Sequence, residues 1–599
     1  MDVLSGPVAV CVDRPLLSLD RPFTYNLAED LGAGVGSLVQ VPFHGKRVRG
    51  WILGPTDDVP ARVADVRACI SPVRFFDVRM LEVLRWVSER YVAPLATVIA
   101  RSHPPRVASE EAGVEFAGRV GLGGGRSAPS ARSDRLGAYA DGGTLLDALR
   151  GGVGGSFVVR PAPADEVALA VECVLEALGG GRSVVVLVPE VEPLPATAAA
   201  VLEAVGSTGV LFAGGDRRER YRRWLEIAGG RYRAVVGTRP AVFAPVPDLG
   251  LVYVARESHT LHREERAPYH HVRDVALARG RVEGATVVLS ALCPSIEAQI
   301  GGHVEVVPRR RAWPPVEVVA PGPEGRAPRL VSALHSARRG FLYAPLPGYG
   351  VARVCRGCGE PAACAACGGT LRAAEGIVRC VVCGADGRCA RCGATSFGIA
   401  RGGAERVEEW ARAVATVPVR RVGREPPRAP REAEVLVGGV EAVKDLGPLD
   451  LDLVGILDAD LASRRPGLSA RERALATWFE VASWASARGR VIVQTRAPND
   501  PAVQALVAGN PDRFARSEIP RRAHAGFPVG GPVFRVVGSP ALEDALRGLA
   551  PRTLLTSRVE GQTVCLVALD PGPTRPFSTA LRSLAERGVV TRVEAEPHL

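Results

Sequence analysis

The sequence predicts a multidomain α/β protein, and three observations carry that expectation. Apolar runs such as SVVVLVPE, LGLVYVA and LDLVGILDAD recur in two regions of the chain, as parallel strands buried on both faces require. Helical periodicity separates them: Val167, Val171, Val174 and Leu178 fall on one side of Asp165–Leu178, and Gly179-Gly180-Gly181 stops that helix. A length of 599 residues with 47% hydrophobic and 23% charged content suits several globular domains, each able to bury a core.

In chain order, residues 1–107 read as a β-rich domain followed by a helix. PVAVCVD, SLVQVPF and RGWILG are strand-like, and Val78, Leu81, Leu84 and Val87 carry helical spacing. Residues 108–150 are rich in Gly, Ser, Ala and Arg and are expected to be a flexible linker. Residues 151–345 form a first α/β domain, with strands SFVVR, SVVVLVPE, YRAVVGT, LGLVYVA and ATVVLSA, and residues 401–515 repeat that grammar. Residues 516–599 read as a small α+β domain whose first helix starts with Ser539 as N-cap and Pro540 at the first helical position.

Between the two α/β regions, residues 346–400 hold eight of the thirteen cysteines as four C-x2-C pairs: Cys355/Cys358, Cys364/Cys367, Cys380/Cys383 and Cys389/Cys392. Each C-x2-C turn aims two thiolates at one ion, so eight suit two structural zinc ions with no open coordination position for chemistry. The gaps between pairs are five, twelve and five residues, a palindrome that suggests nesting. The outer pairs (Cys355, Cys358, Cys389, Cys392) would close one site and the inner pairs (Cys364, Cys367, Cys380, Cys383) the other. The alternative, a disulfide framework, fits poorly with C-x2-C turns in a chain that otherwise reads as cytosolic. Cys11, Cys69, Cys173, Cys293 and Cys565 are scattered, mostly in apolar runs, and read as buried free thiols.

The start MDVLSGPVAVCVDRP has no basic n-region and no cleavage site, and no apolar run reaches eighteen residues. A secreted or membrane-spanning protein is therefore not expected. A net charge of +11, almost all from arginine with only Lys46 and Lys444 as lysines, permits nucleic-acid binding without proving it. Phe23, Tyr25 and the basic loop Gly45, Lys46, Arg47, Arg49 have two readings: rings and cations for a nucleotide, or core aromatics beside a solvated hairpin.

Two α/β domains with an inserted zinc module outline a helicase. Such a motor needs a phosphate-cradling loop with Gly-Lys-Ser/Thr, yet Lys46 precedes Arg47 and Lys444 precedes Asp445. After the first strand stands Arg160-Pro161-Ala162-Pro163-Ala164-Asp165, whose two prolines lack the N–H groups a cradle would use.

At this point the chain resembles the PriA family (primosomal protein N′), a group of superfamily 2 DNA helicases active in replication restart. RPFTYNLAEDLGAGVGSLVQVPF, VVVLVPEVEPL, GTRPAVFAP, YHHVRDVA, GGAERVEEW, LVGILDAD and VIVQTRAPNDP follow that family's order, and the cysteine pattern resembles its double zinc module. The resemblance implies two RecA-like domains, an N-terminal 3′-end DNA-binding domain using Phe23, Tyr25 and the 44–49 loop, and a winged-helix domain reduced or lost at 108–150. It also implies forked or single-stranded DNA, single-stranded-DNA-binding protein, other primosome proteins and the replicative helicase as partners, in the cytoplasm and at the nucleoid. The family's acidic DEEH box stands here as Ala255-Arg256-Glu257-Ser258, its GSATPS segment as Ser290–Ser295, and its arginine-bearing segment as Glu480–Ala487 without either arginine. Losing any one of these groups costs orders of magnitude in rate, so no catalytic and no nucleotide-binding residue is expected. The expected function is fork binding and reloading of the replication machinery without unwinding. A helicase with divergent motifs and a scaffold that no longer binds DNA are the alternatives.

Overall fold

The computed structural model describes residues 3–112, 134–310, 312–322, 325–345, 353–360, 362–366, 371–374, 377–380, 384–399, 403–422, 429–463 and 467–597. A six-stranded sheet opens the chain, in the order 64–65, 23–27, 6–12, 46–55, 37–43 and 68–74. The helix Val78–Arg90 follows, with the Asp77 side chain accepting the Met80 N–H at 2.8 Å, an N-cap that satisfies one orphan donor. Leu81, Leu84 and Val87 face the core as their spacing implies, whereas Val78, also expected there, is exposed.

The first α/β unit is an eight-stranded sheet in the order 209–212, 234–237, 183–187, 249–255, 286–290, 156–159, 304–308 and 139–140. All its pairings are parallel except the last. That last strand corrects the linker expectation for residues 134–150. Tyr139-Ala140 pairs with Val307 and Pro308, and the helix Gly142–Gly151 packs Leu145, Leu146 and Leu149 into the same core as Phe157 and Val174. Residues 108–112 depart from the linker expectation too, with Glu111 buried and held by Arg106 and Tyr221, and residues 113–133 lie outside the described residues.

The second sheet is wholly parallel, in the order 316–319, 485–494, 451–456, 339–343, 434–438 and 419–421. This corrects the boundary at 345. Val316–Val319 pairs with Val491–Gln494, and Arg339–Tyr343 sits between strands 434–438 and 451–456. Both strands therefore belong to the second unit, and the cysteine-rich segment is an insertion within that unit. Hydrophobic periodicity shows that a strand is buried but not which sheet receives it. The chain closes with a four-stranded antiparallel sheet, in the order 553–559, 562–568, 533–538 and 590–595. Its first helix starts at Leu542 without a side-chain cap, so Ser539 does not act as the N-cap; its carbonyl accepts the Leu542 N–H instead.

One apolar cluster runs through the N-terminal, first α/β and C-terminal units, joining Trp51, Phe75, Trp224, Leu289, Phe534 and Leu581. Polar ties reinforce it: Arg582 Nε lies 2.6 Å from Asp20, and its Nη2 donates to Ser88 Oγ at 2.8 Å. His103 lies in that seam, its ring 4.5 Å from Phe75 and 5.9 Å from Trp224. Burial lowers the pKa of His103 to about 4, and does the same to His262 and His270. In the unfolded chain these imidazoles titrate near 6.5, so between about pH 6.5 and 4 the unfolded state binds the extra protons. Stability is held above that window and lost as pH falls through it. Thermal unfolding is expected to shift down by roughly 5 °C or more from pH 7 to pH 5; a flat melting temperature across that range would contradict the neutral burial of these rings.

Candidate nucleic-acid interface, interdomain cleft and metal centre

Strands Ser37–Phe43 and Lys46–Pro55 form a hairpin whose two-residue turn is His44-Gly45. Both turn residues have positive φ, 45° and 75°, the backbone that matches a right-twisted hairpin. Gly45 adopts it freely; His44 holds a conformation uncommon for a residue with a Cβ. Lys46, Arg47 and Arg49 are all exposed. Alternation along the strand puts Arg47 and Arg49 on one face while Val48 turns into the core. Arg49 is tied to Asp13 at 3.1 Å.

The two aromatic candidates separate. Phe23 is half-buried, 5.0 Å edge-on from Phe43, with the Arg21 guanidinium 5.1 Å from its ring centroid. Tyr25 is 5% exposed within the core of the sheet, and its hydroxyl donates to the Pro42 carbonyl at 2.9 Å. Tyr25 therefore braces the hairpin from beneath and cannot offer a ring face to a base. Phe43 and His44, with ring centroids 4.4 Å apart, extend the surface that Phe23 begins. Phe43 was not among the residues the sequence singled out. Its signal is a ring contact with Phe23 from a strand two removed in the sheet order, which appears only once the sheet is folded.

The loop that follows the first strand of the first α/β unit is held by the protein's own contacts. After the strand Ser156–Val159, Arg160 pairs with Glu305 and with Asp512 of the second unit, each at 3.0 Å. The Ala162 N–H donates to the Tyr139 hydroxyl at 2.9 Å, and that hydroxyl donates to Asp165. Arg256 is 3% exposed and meets Glu480 of the second unit at 3.1 Å. Burial, then the charges of Glu480 and Asp445, push the Glu166 carboxyl well above the usual range, with Arg256 opposing them. Lys444 pairs with Glu190, and Asp445 accepts the Ala196 and Thr197 N–H groups through its carbonyl and carboxylate. Between Pro163, Glu166, Lys444, Asp445 and Glu480 there remains a cavity of about 10 Å³, room for about one water. Glu257, fully buried, accepts from Ser295 N at 3.0 Å and Ser295 Oγ at 2.7 Å and pairs with Arg273 at 2.9 Å.

The outer cysteine pairs converge. The sulfurs of Cys355, Cys358, Cys389 and Cys392 all lie within 4.8 Å of one another, with Cys355–Cys392 at 3.4 Å and Cys358–Cys389 at 3.6 Å. A tetrahedral zinc with Zn–S bonds near 2.3 Å sets its sulfurs about 3.8 Å apart, so the four thiols fit one such ion. Each knuckle closes on a glycine in the left-handed region: Gly359 N–H donates to the Cys355 carbonyl at 2.9 Å, and Gly393 N–H to that of Cys389 at 2.8 Å. Of the inner set, Cys364 and Cys380 are buried together in a small cluster with Leu371; Cys367 and Cys383 lie outside the described residues. Among the described residues no helix is long and apolar enough to cross a membrane.

Residues 9–104 match the family described as the 3′ DNA-binding domain of PriA. Two parallel-sheet α/β units, the second carrying a four-cysteine centre, together with this N-terminal module define a multidomain α/β protein with a 3′ DNA-binding domain. The chain is 30% identical to the probable replication restart protein PriA of Mycobacterium leprae, covering 96% of this chain and 94% of that one. It is 28% identical to the replication restart protein PriA of Treponema pallidum, covering 93% and 92%. The chain belongs to the PriA replication restart family. Among solved structures, Escherichia coli DExH-box NTPase HrpB gives a TM-score of 0.36 at 14% identity, covering 76% of this chain and 49% of that one.

Proposed function

We propose that this chain binds forked DNA, engages a nascent 3′ end through its N-terminal domain and helps reload the replication machinery without turning over ATP. One observation carries the last clause. Beside the 160–166 loop the two units meet through Arg256, Glu480, Glu166 and the Lys444–Glu190 pair, leaving about 10 Å³ among Pro163, Glu166, Lys444 and Glu480, and the adjoining cavity of about 320 Å³ at Arg256, His259, Arg473 and Glu480 has no lysine in its lining. The loss of the Gly-Lys-Ser/Thr loop, the acidic box and both arginines agrees with it. Two zinc ions, one per nested cysteine set, order an insertion too rich in loops to build a core alone. Single-stranded-DNA-binding protein, other primosome proteins and the replicative helicase are the partners this reading implies, in the cytoplasm at the nucleoid. The rim of Phe23, Phe43 and His44 with Lys46 and Arg47 is where a terminal nucleotide would sit. Fluorescence anisotropy on forks differing only in a 3′-hydroxyl or 3′-phosphate should show about tenfold tighter binding to the hydroxyl, a difference of about 1.4 kcal/mol, and the same preference on forks coated with single-stranded-DNA-binding protein. Equal, negligible affinity for every fork at moderate salt would instead favour a scaffold that has left DNA.

A further inference from the structure

The C-terminal sheet ends on an open edge. Its outermost strand, Thr553–Val559, pairs with Gln562–Ala568 through seven consecutive residues without a bulge, and among the described residues no strand lies on its other side. Exposed edges in proteins are usually blunted by a proline, a bulge or a covering segment, because their unpaired backbone groups recruit another strand. Thr553–Val559 contains no proline, and it is exposed from Leu555 onward.

The turn Glu560-Gly561 decides which backbone groups face out. Both residues have positive φ, 50° and 78°, so the hairpin closes on a two-residue turn across which Val559 and Gln562 exchange hydrogen bonds. By alternation Thr553, Leu555 and Ser557 also bond inward. The N–H and C=O groups of Leu554, Thr556 and Arg558 therefore point away from the sheet. Leu554 packs against the core that includes Leu542 and Leu581, which leaves Leu555 and Val559 on the opposite face. They are 53% and 52% exposed, beside the half-buried Val564 and Leu566 of the neighbouring strand.

A second copy of the same strand satisfies this edge when it runs antiparallel about Thr556. Thr556 then faces its own counterpart and Leu554 faces Arg558, so every outward N–H and C=O group gains a partner. The aliphatic stem of Arg558 covers Leu554. Leu555 falls opposite Ser557 and diagonal to its own counterpart. The ends match in charge: Arg552 falls opposite Glu560 of the second copy, and two-fold symmetry makes that contact twice. In the single chain Arg552 pairs with Asp570 at 2.9 Å, with side chains 41% and 70% exposed, a surface tie weak enough to be exchanged. An unrelated extended peptide would gain the backbone ladder without the Arg552–Glu560 match, so the sequence of this edge favours a second copy.

We propose that two copies of this chain dimerise through antiparallel pairing of Thr553–Val559, joining their C-terminal sheets into one. The inference goes beyond the fork-binding reading and does not depend on it.

Sedimentation equilibrium of the full chain tests it, with a dimer expected at a Kd of about 10 µM or tighter. Thr556→Pro removes the outward N–H at the two-fold centre and leaves the inward ladder intact, so this variant should be monomeric with an unchanged far-UV circular dichroism spectrum. Arg552→Glu and Glu560→Arg each set two like charges opposite one another and should weaken the dimer about tenfold or more. The double variant R552E/E560R restores the match and should return to within about threefold of the parent. Should Thr556→Pro fail to fold, the loss and recovery across the charge variants decide the matter. A parent chain that is still monomeric at about 100 µM overturns the proposal, as does one whose edge pairs only with an added extended peptide. A dimer that both Thr556→Pro and the single charge variants leave unchanged overturns it too, because that dimer uses another surface.

Discussion

Replacing Arg256 with alanine is expected to destabilise the pair of α/β units by about 3–5 kcal/mol, the cost of stranding buried carboxylates without their cation. The magnitude follows from burial. Arg256 and Glu480 side chains are 3% and 14% exposed, so bulk water cannot rescue what is left. A surface ion pair would be worth about 0–1 kcal/mol. Arg256 also faces Asp445 and Glu166, so its removal leaves Glu480 and Asp445 without their cation beside Glu166, whose carboxyl is already pushed toward its neutral form. Adding Glu480→Gln to Arg256→Ala should recover part of the loss. A substitution of both by well-packed apolar residues, Arg256→Met with Glu480→Leu, should be far milder than either single change, because a buried pair scarcely outweighs its own desolvation. Urea unfolding of the four proteins measures this. If Arg256→Ala unfolds within about 0.5 kcal/mol of the parent, within the range of an ordinary surface substitution, the seam is wet and the cleft is not sealed by these residues.

The second large effect concerns the cysteines. Cys355→Ser or Cys389→Ser should release one metal ion, and Cys364→Ser the other, each unfolding its part of the insertion. Structural zinc sites supply on the order of 10–16 kcal/mol of apparent binding free energy, far more than the buried trio Cys364, Leu371 and Cys380 could contribute by packing. Native mass spectrometry of the intact chain should count two ions in the parent and one in each variant. Two ions retained in Cys389→Ser would show that the outer pairs do not share a site. Because the remaining units have their own cores, far-UV circular dichroism of the variants should change little.

How far the sequence foretold these sites depends on whether their determinants are local. The cysteine knuckles were legible because spacing alone sets them: Cys355-x2-Cys358 and Cys389-x2-Cys392 each close on the following glycine, and their gathering into one cluster follows the palindrome. Strands such as Ser183–Leu187 and Leu249–Ala255 were legible because burial on both faces leaves an unbroken apolar run. Tyr139-Ala140 was not, since two residues give no periodicity and their assignment rests on a partner strand about 170 residues away. Val316–Val319 failed for the same reason, because its place is fixed by Val491–Gln494. At the interface, Phe23 and Tyr25 look equivalent in sequence, yet only Phe23 reaches the surface, while Tyr25 is drawn into the core beneath the hairpin. The absence of a phosphate-binding lysine could be read directly. That Arg256 and Glu480 meet between the two units could not, because it depends on how two separately folded sheets are docked.

Steady-state phosphate release by the purified full chain on forked DNA bears most directly on the claim that this cleft no longer works as a motor. The arrangement of Arg256, Glu480, Glu166 and the proline-bearing 160–166 loop predicts release indistinguishable from a protein-free blank, with and without DNA. Turnover of about one per second or more, within the ordinary range for enzymes, and lost on altering the 160–166 loop, would contradict it.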